Sequence, residues 1–163
     1  MTTRILAVCA GNICRSPAAQ AAIAAAAASA GLEVEVDSAG TGSWHVGSPP
    51  HHQSVAAGAR AGLRIDGKAR VINKLDFDRF DVIVVMDRAN LRDVIAMAPD
   101  LEHRARVRLF RTFDPETDSD EVPDPYGGPD EGYDQTIAQV TAAASGLIGS
   151  LLSVGVQDPV APE

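Results

Sequence analysis

Hydrophobic and polar positions along this chain alternate between two periods, and that alternation predicts its elements. Arg4-Ile5-Leu6-Ala7-Val8 is a short apolar run that breaks into polar, glycine-bearing sequence, as expected of a strand buried on both faces. After the loop 9–15 come Ser16 and Pro17, an N-cap residue type followed by a proline suited to a first turn. Ala18 to Ala30 then supplies strong helix formers up to Gly31. Glu33 to Asp37 alternates and predicts a second strand nearer a sheet edge. Ser38 to Pro50 reads as a loop, and Gln53 to Ala61 as a helix stopped by Gly62. Val82 to Met86 is the clearest strand, followed by a helix over Arg88 to Met97 that ends before Pro99. Val107 to Phe110 is a last short strand. Thr112 to Asp130 reads as an acidic loop, Tyr133 to Leu152 as a final helix weakened by Gly146 and Gly149, and Gln157 to Glu163 as a loose tail.

Strands alternating with helices predict a single α/β domain of three layers, over residues 1–156, with a mostly parallel, four-stranded sheet. Right-handed crossovers gather the loops at the carboxyl ends of the strands on one rim, where such folds keep their sites. No internal repeat and no dividing linker interrupts the chain.

Composition narrows the function. The formal net charge of −8 argues against nucleic acid as a partner, because phosphate backbones attract clustered Lys and Arg. The Ala-rich stretch is too short and too weakly apolar to predict membrane insertion. Two cysteines cannot build a disulfide scaffold and fit a reduced, cytoplasmic setting. They lie five positions apart near the N-terminus, which directs attention to their chemistry.

Cys9 follows the first strand, and Arg15 follows Cys9 by six positions. Gly11 and Asn12 between them are the residue types that most readily take left-handed backbone angles. Such a loop can curl its amides into one concavity, an anion nest, to which the following helix adds its positive N-terminal end. A cysteine in that setting is favoured as thiolate, and an arginine offers a fork of donors to two oxygens of a phosphoryl group. The bland reading is a buried small hydrophobe beside a surface arginine. Chance decides against it: with 2 Cys, 12 Arg and 10 Ser, about 0.009 matches to Cys-x5-Arg-Ser are expected.

The run Cys9-Ala10-Gly11-Asn12-Ile13-Cys14-Arg15-Ser16-Pro17 resembles the signature of the low-molecular-weight protein tyrosine phosphatases. The likeness continues through Asp37–Gly47, Ala69–Ile72, Asp76-Phe77, Phe80-Asp81, Met86–Leu91 and Val122–Gly127. It implies a flavodoxin-like winding and phosphotyrosine-containing proteins as partners, with a tyrosine kinase as a possible counterpart. It also implies Cys9 as the nucleophile, Arg15 as the ligand of the transferring oxygens and Asp124 as general acid and base. By the same resemblance Ser16 steadies the Cys9 thiolate, Asn12 holds the loop's shape, and Trp44 and Tyr126 wall the cleft. Ala10, Gly11, Ile13 and Cys14 complete the phosphate-binding set. No metal or other cofactor is implied.

Two departures stand out. Tyr126 is followed by Gly127 and Gly128 where the family often has a second aromatic, and Gly67-Lys68 stands where some members carry a histidine. The rival readings are a protein arginine phosphatase, whose loop carries a small polar residue in place of Ile13, and an arsenate reductase. The latter's thioredoxin-coupled members need downstream cysteines, and this chain has none after Cys14. Cys14 reads either as a trap for oxidised Cys9 or as a packed hydrophobe. His51 and His52 read as exposed loop residues, and the acidic stretch 114–130 as a solvated loop without calcium-ligand spacing.

Overall fold

The computed structural model describes residues 2–157; the remainder of the expected tail, 158–163, lies outside the described residues. β1 (Thr3–Cys9), β2 (Val34–Gly40), β3 (Val82–Val85) and β4 (Val107–Leu109) form an all-parallel sheet in the order β2-β1-β3-β4. The expected edge strand is indeed at an edge, and β1 is central, which explains its unbroken apolar run. Its side chains divide by the period of two. Ile5, Ala7 and Cys9 join the core under α1 (Arg15–Ala30), α2 (His52–Arg60) and α6 (Asp130–Gln157). Leu6 and Val8 join the opposite core, with Phe77 of α3 (Asp76–Arg79) and Val94 of α4 (Arg88–Met97). A short α5 (Leu101–Arg104) completes that side.

The small-residue composition of α1 has a packing consequence. Ala18, Ala19, Ala22 and Ala27 are buried in one core with Val140, Ala143, Ala144 and Leu147 of α6. α6 is longer than expected at both ends, and its glycines do not interrupt it. A Cβ at Gly146 would run into the backbone carbonyl of Phe113, in the 3-10 turn Phe110–Phe113, so this glycine is the condition of close approach. By length and hydropathy α6 is apolar enough to cross a membrane, but its apolar stripe is the core of the domain.

Several boundaries move. β2 runs on to Gly40, into the expected loop, and Phe110 leaves β4 for the 3-10 turn, while α3 and α5, four residues each, are too short to show a period. α1 begins at Arg15, one residue before the expected cap, and no side chain caps it. Ser16 therefore sits inside the first turn, and Pro17 lies among the first four positions, whose amides have no intrahelical partner in any case. The uncapped amides face the loop that follows β1, and the site begins there.

Candidate active site

Residues 9–15 connect the buried end of β1 to the start of α1. Asn12, at φ 60°, is the non-glycine residue with left-handed backbone among the described residues. That conformation costs roughly 1–2 kcal/mol, and the side chain offsets it with three bonds. Asn12 Nδ2 donates to Ser16 Oγ at 2.8 Å and Ser38 Oγ at 3.0 Å, and Oδ1 accepts from the Arg70 amide at 2.9 Å. The network closes without a side chain at Gly67, which lies in an irregular segment at φ 112° with open space around it. The second loop braces the first: Thr41 and Gly42 amides donate to the Cys9 and Ala10 carbonyls at 2.9 and 3.0 Å. Gly40 allows this closeness, because a Cβ there would lie 2.7 Å from the Ala10 carbonyl oxygen.

Cys9 is 3% exposed. Its Sγ receives the Asn12 amide at 3.3 Å and lies 3.0 Å from Ser16 Oγ. Ser16 thus serves the sulfur and does not serve as a helix cap. Arg15 is buried beside it. Nη1 donates to Asp87 Oδ2 at 2.7 Å and to the Val122 carbonyl at 3.0 Å, leaving Nη2, 3.9 Å from Asp124 Oδ2, on the cleft side. Burial works against the Arg15 charge, but Cys9 and the Asp87 bond outweigh it and raise its pKa. Cys14 behaves differently. Burial pushes its thiol up to about 12, against a weak opposing contact to the Tyr133 hydroxyl at 4.0 Å. At neutral pH that thiol stays protonated, which favours the packed-hydrophobe reading over the redox trap.

Above these residues lies a cleft of about 170 Å³, walled by Ala10, Gly11, Ile13, Trp44, His45, Asp124 and Tyr126. Trp44 and Tyr126 are 72% and 56% exposed, so they belong to the rim and not to the core. Asp124 comes from the acidic loop, which is anchored by the Val122 amide to the Met86 carbonyl at 2.7 Å. Asp124 Oδ1 accepts the Tyr126 amide at 3.2 Å, which turns Oδ2 toward Arg15. Gly127, at φ 83°, completes that turn without adding a side chain to the rim.

All the residues singled out in the sequence meet here, nine on the cleft and Asn12 and Ser16 beneath it. Sequence reasoning missed His45, Asp87, Ser38 and Arg70. Asp87 had a signal: it follows β3, the neighbour of β1, by two residues and caps α4 in an Asp-x-x-Asn box, with Oδ1 accepting the Asn90 amide at 2.8 Å. The exposed-loop reading of the two histidines holds in part. His52 is exposed as expected but opens α2, while His51, the cap of that helix, is half-buried, accepts the Gln53 amide on Nδ1 at 3.2 Å and stacks on Tyr133. Burial, then the neighbouring His52 and His45, lower its pKa. No cluster of three or more metal-ligating side chains occurs among the described residues.

A parallel sheet covered by helices on both faces, with Cys9 and Arg15 on the loop after its first strand, defines an α/β protein with an enzyme-like cleft at the carboxyl ends of its strands. Residues 4–156 match the family model described as low molecular weight phosphotyrosine protein phosphatase, and the chain belongs to that family. It is 41% identical over 155 residues to a low molecular weight protein-tyrosine-phosphatase of Streptomyces coelicolor, covering 93% of this chain and 94% of that protein. A protein tyrosine phosphatase from Entamoeba histolytica superposes with a TM-score of 0.91 at 31% identity, covering 94% of this chain and 99% of the other. The arginine phosphatase YwlE shares the fold, with a TM-score of 0.81, 24% identity and coverage of 92% and 96%.

Proposed function

We propose that this phosphatase hydrolyses phosphotyrosine on proteins through a phosphocysteine on Cys9. The observation that carries the reading is the convergence on one cleft of Cys9 Sγ, the unshared edge of Arg15 and the Asp124 carboxyl. Cys9 thiolate attacks phosphorus, the ester P–O bond breaks, and the leaving phenolate takes a proton from Asp124. Asp124, now a carboxylate, then takes a proton from the water that displaces Cys9 and releases inorganic phosphate. Through both steps Arg15 and the loop amides hold the equatorial oxygens.

Ile13 supports the tyrosine class. It is 7% exposed and lines the cleft with Trp44 and Tyr126. A phenyl ring gains about 25 cal/mol for each Å² buried there. A phosphoarginine guanidinium meets no polar partner at Ile13, which costs about 1–3 kcal/mol for each donor left unsatisfied. Phosphoserine brings no ring to bury against Ile13, Trp44 and Tyr126. The test is turnover of matched phosphotyrosine, phosphoarginine and phosphoserine peptides. Phosphotyrosine is expected to lead, with Ile13→Thr shifting preference toward phosphoarginine. Faster cleavage of phosphoarginine by the unaltered enzyme replaces this reading with an arginine phosphatase.

A further inference from the structure

Asn12 holds a left-handed conformation at the centre of the loop, and the residue that fixes it lies far away in sequence. The Arg70 amide donates to Asn12 Oδ1 at 2.9 Å, while the Arg70 carbonyl accepts the Gly40 amide at 2.8 Å. Arg70 is thereby inserted between the loop and the end of β2. Its guanidinium holds it there. Nε and Nη2 donate to Asp37 Oδ2 at 3.2 and 3.1 Å, and Nη1 and Nη2 donate to the two oxygens of Asp76 at 3.0 and 3.1 Å. Nη1 also reaches the Val71 carbonyl at 3.5 Å. The Asp76 side chain is 4% exposed and the Arg70 side chain 30%. Burial opposes the Arg70 charge, and the bonds to Asp76 and Asp37 more than offset it.

Asp37 gives the triad a second route to the loop. The next residue, Ser38, accepts Asn12 Nδ2 at 3.0 Å. Two of the three side-chain bonds of Asn12 therefore end on Arg70's own amide and on Ser38, the neighbour of the Asp37 that the guanidinium holds. The third ends on Ser16, which lies 3.0 Å from Cys9 Sγ. We propose that Arg70 is a positioning residue for catalysis: clamped by Asp37 and Asp76, it locks Asn12 left-handed and so aims the Asn12 amide and Ser16 hydroxyl at the Cys9 sulfur. This rests on the reading of Cys9 as nucleophile. The same lock shapes the loop amides that receive phosphate.

The test is a double-mutant cycle between Arg70 and Asn12, with kcat, KM and inhibition by inorganic phosphate measured for each variant. Arg70→Ala should lower kcat/KM by about tenfold to a hundredfold, the scale of a misplaced site, and weaken phosphate inhibition alongside. Arg70→Lys should recover part of the loss, because an ammonium pairs with carboxylates only as a point charge. It also serves if the alanine variant does not fold. Glycine accepts the left-handed conformation unaided. In an Asn12→Gly background, either Arg70 change should therefore cost less than about threefold, since sites acting through one another are non-additive. Equal losses in both backgrounds, or a lowered melting temperature with unaltered phosphate inhibition, overturn the proposal and leave Arg70 a scaffold residue. Turnover by Cys9→Ser would instead overturn the nucleophile reading, whatever Arg70 does.

Discussion

Asp87 divides its two oxygens between two tasks, and that division makes the Arg15 anchor testable. Oδ1 caps α4 through the Asn90 amide at 2.8 Å, and Oδ2 receives Arg15 Nη1 at 2.7 Å. Asp87→Asn has one acceptor where two are needed. If the amide oxygen keeps the cap, its NH2 faces Arg15 as donor against donor. If the oxygen turns to Arg15, the cap is lost at about 1 kcal/mol. Asp87→Ser separates the tasks, since serine caps as well as aspartate but leaves Arg15 with the Val122 carbonyl alone. A hydrogen bond to a charged group is worth about 1.5–3 kcal/mol, which at about 1.36 kcal/mol for each decade corresponds to roughly 10- to 150-fold in rate. Removing the carboxylate also relieves its repulsion of the substrate dianion. That relief acts on bound substrate and transition state alike and so lowers KM without raising kcat. The loss of aim falls on kcat. Steady-state kinetics on a phosphotyrosine peptide should therefore show Asp87→Ser with kcat down about 10- to 150-fold, KM unchanged or lower, and a melting temperature near wild type. A kcat within about twofold of wild type would refute the claim that Asp87 aims Arg15.

Further outcomes follow from the same geometry. Asp124→Asn should lower kcat by about 10²–10⁴-fold for poor leaving groups and far less for acidic ones, and an equal loss across a leaving-group series would assign Asp124 a structural task. Gly146→Ala sets helix propensity, about 1 kcal/mol in favour of alanine, against a Cβ driven into the Phe113 carbonyl. Overpacking costs typically about 1–3 kcal/mol, so thermal or denaturant unfolding should show net destabilisation, and a rise in stability would mean that the turn yields freely. His51 has a lowered pKa in the folded state, so its stabilising contribution is complete above the unfolded value of about 6.5 and is lost as pH falls through the folded value. His51→Asn keeps an acceptor for the Gln53 amide and does not titrate. Its melting temperature should fall less than that of wild type between pH 7.5 and 5, and parallel curves would remove His51 from the acid-side loss.

What the sequence displays of this fold is what repeats or what chemistry marks. β1 and β3 are legible because both sheet faces bury them, and the last helix because its stripe recurs over several turns. Four-residue elements such as α3 and α5 carry no period and stay invisible. The loop from Cys9 to Arg15 is legible because its residue types are rarely combined by chance, and because Gly11 and Asn12 announce unusual backbone angles. The brace around it is not. Asp37, Ser38, Arg70 and Asp87 are ordinary residues whose importance depends on which strand lies beside which, and strand order is decided by packing of the whole chain. Ser16 shows the limit from the other side. Its place before a proline and an alanine run satisfies every local rule for a helix cap, yet the helix starts one residue earlier and its hydroxyl turns to Cys9. On the proposed function, a local preference worth about 1 kcal/mol yields because a capping side chain at the N-terminal amides of α1 would occupy the space that the phosphoryl group needs. That mismatch is testable: if the freed helix end serves the anion of the proposed reaction, inorganic phosphate inhibits the enzyme competitively, and a lack of inhibition would leave the declined cap without a functional reason.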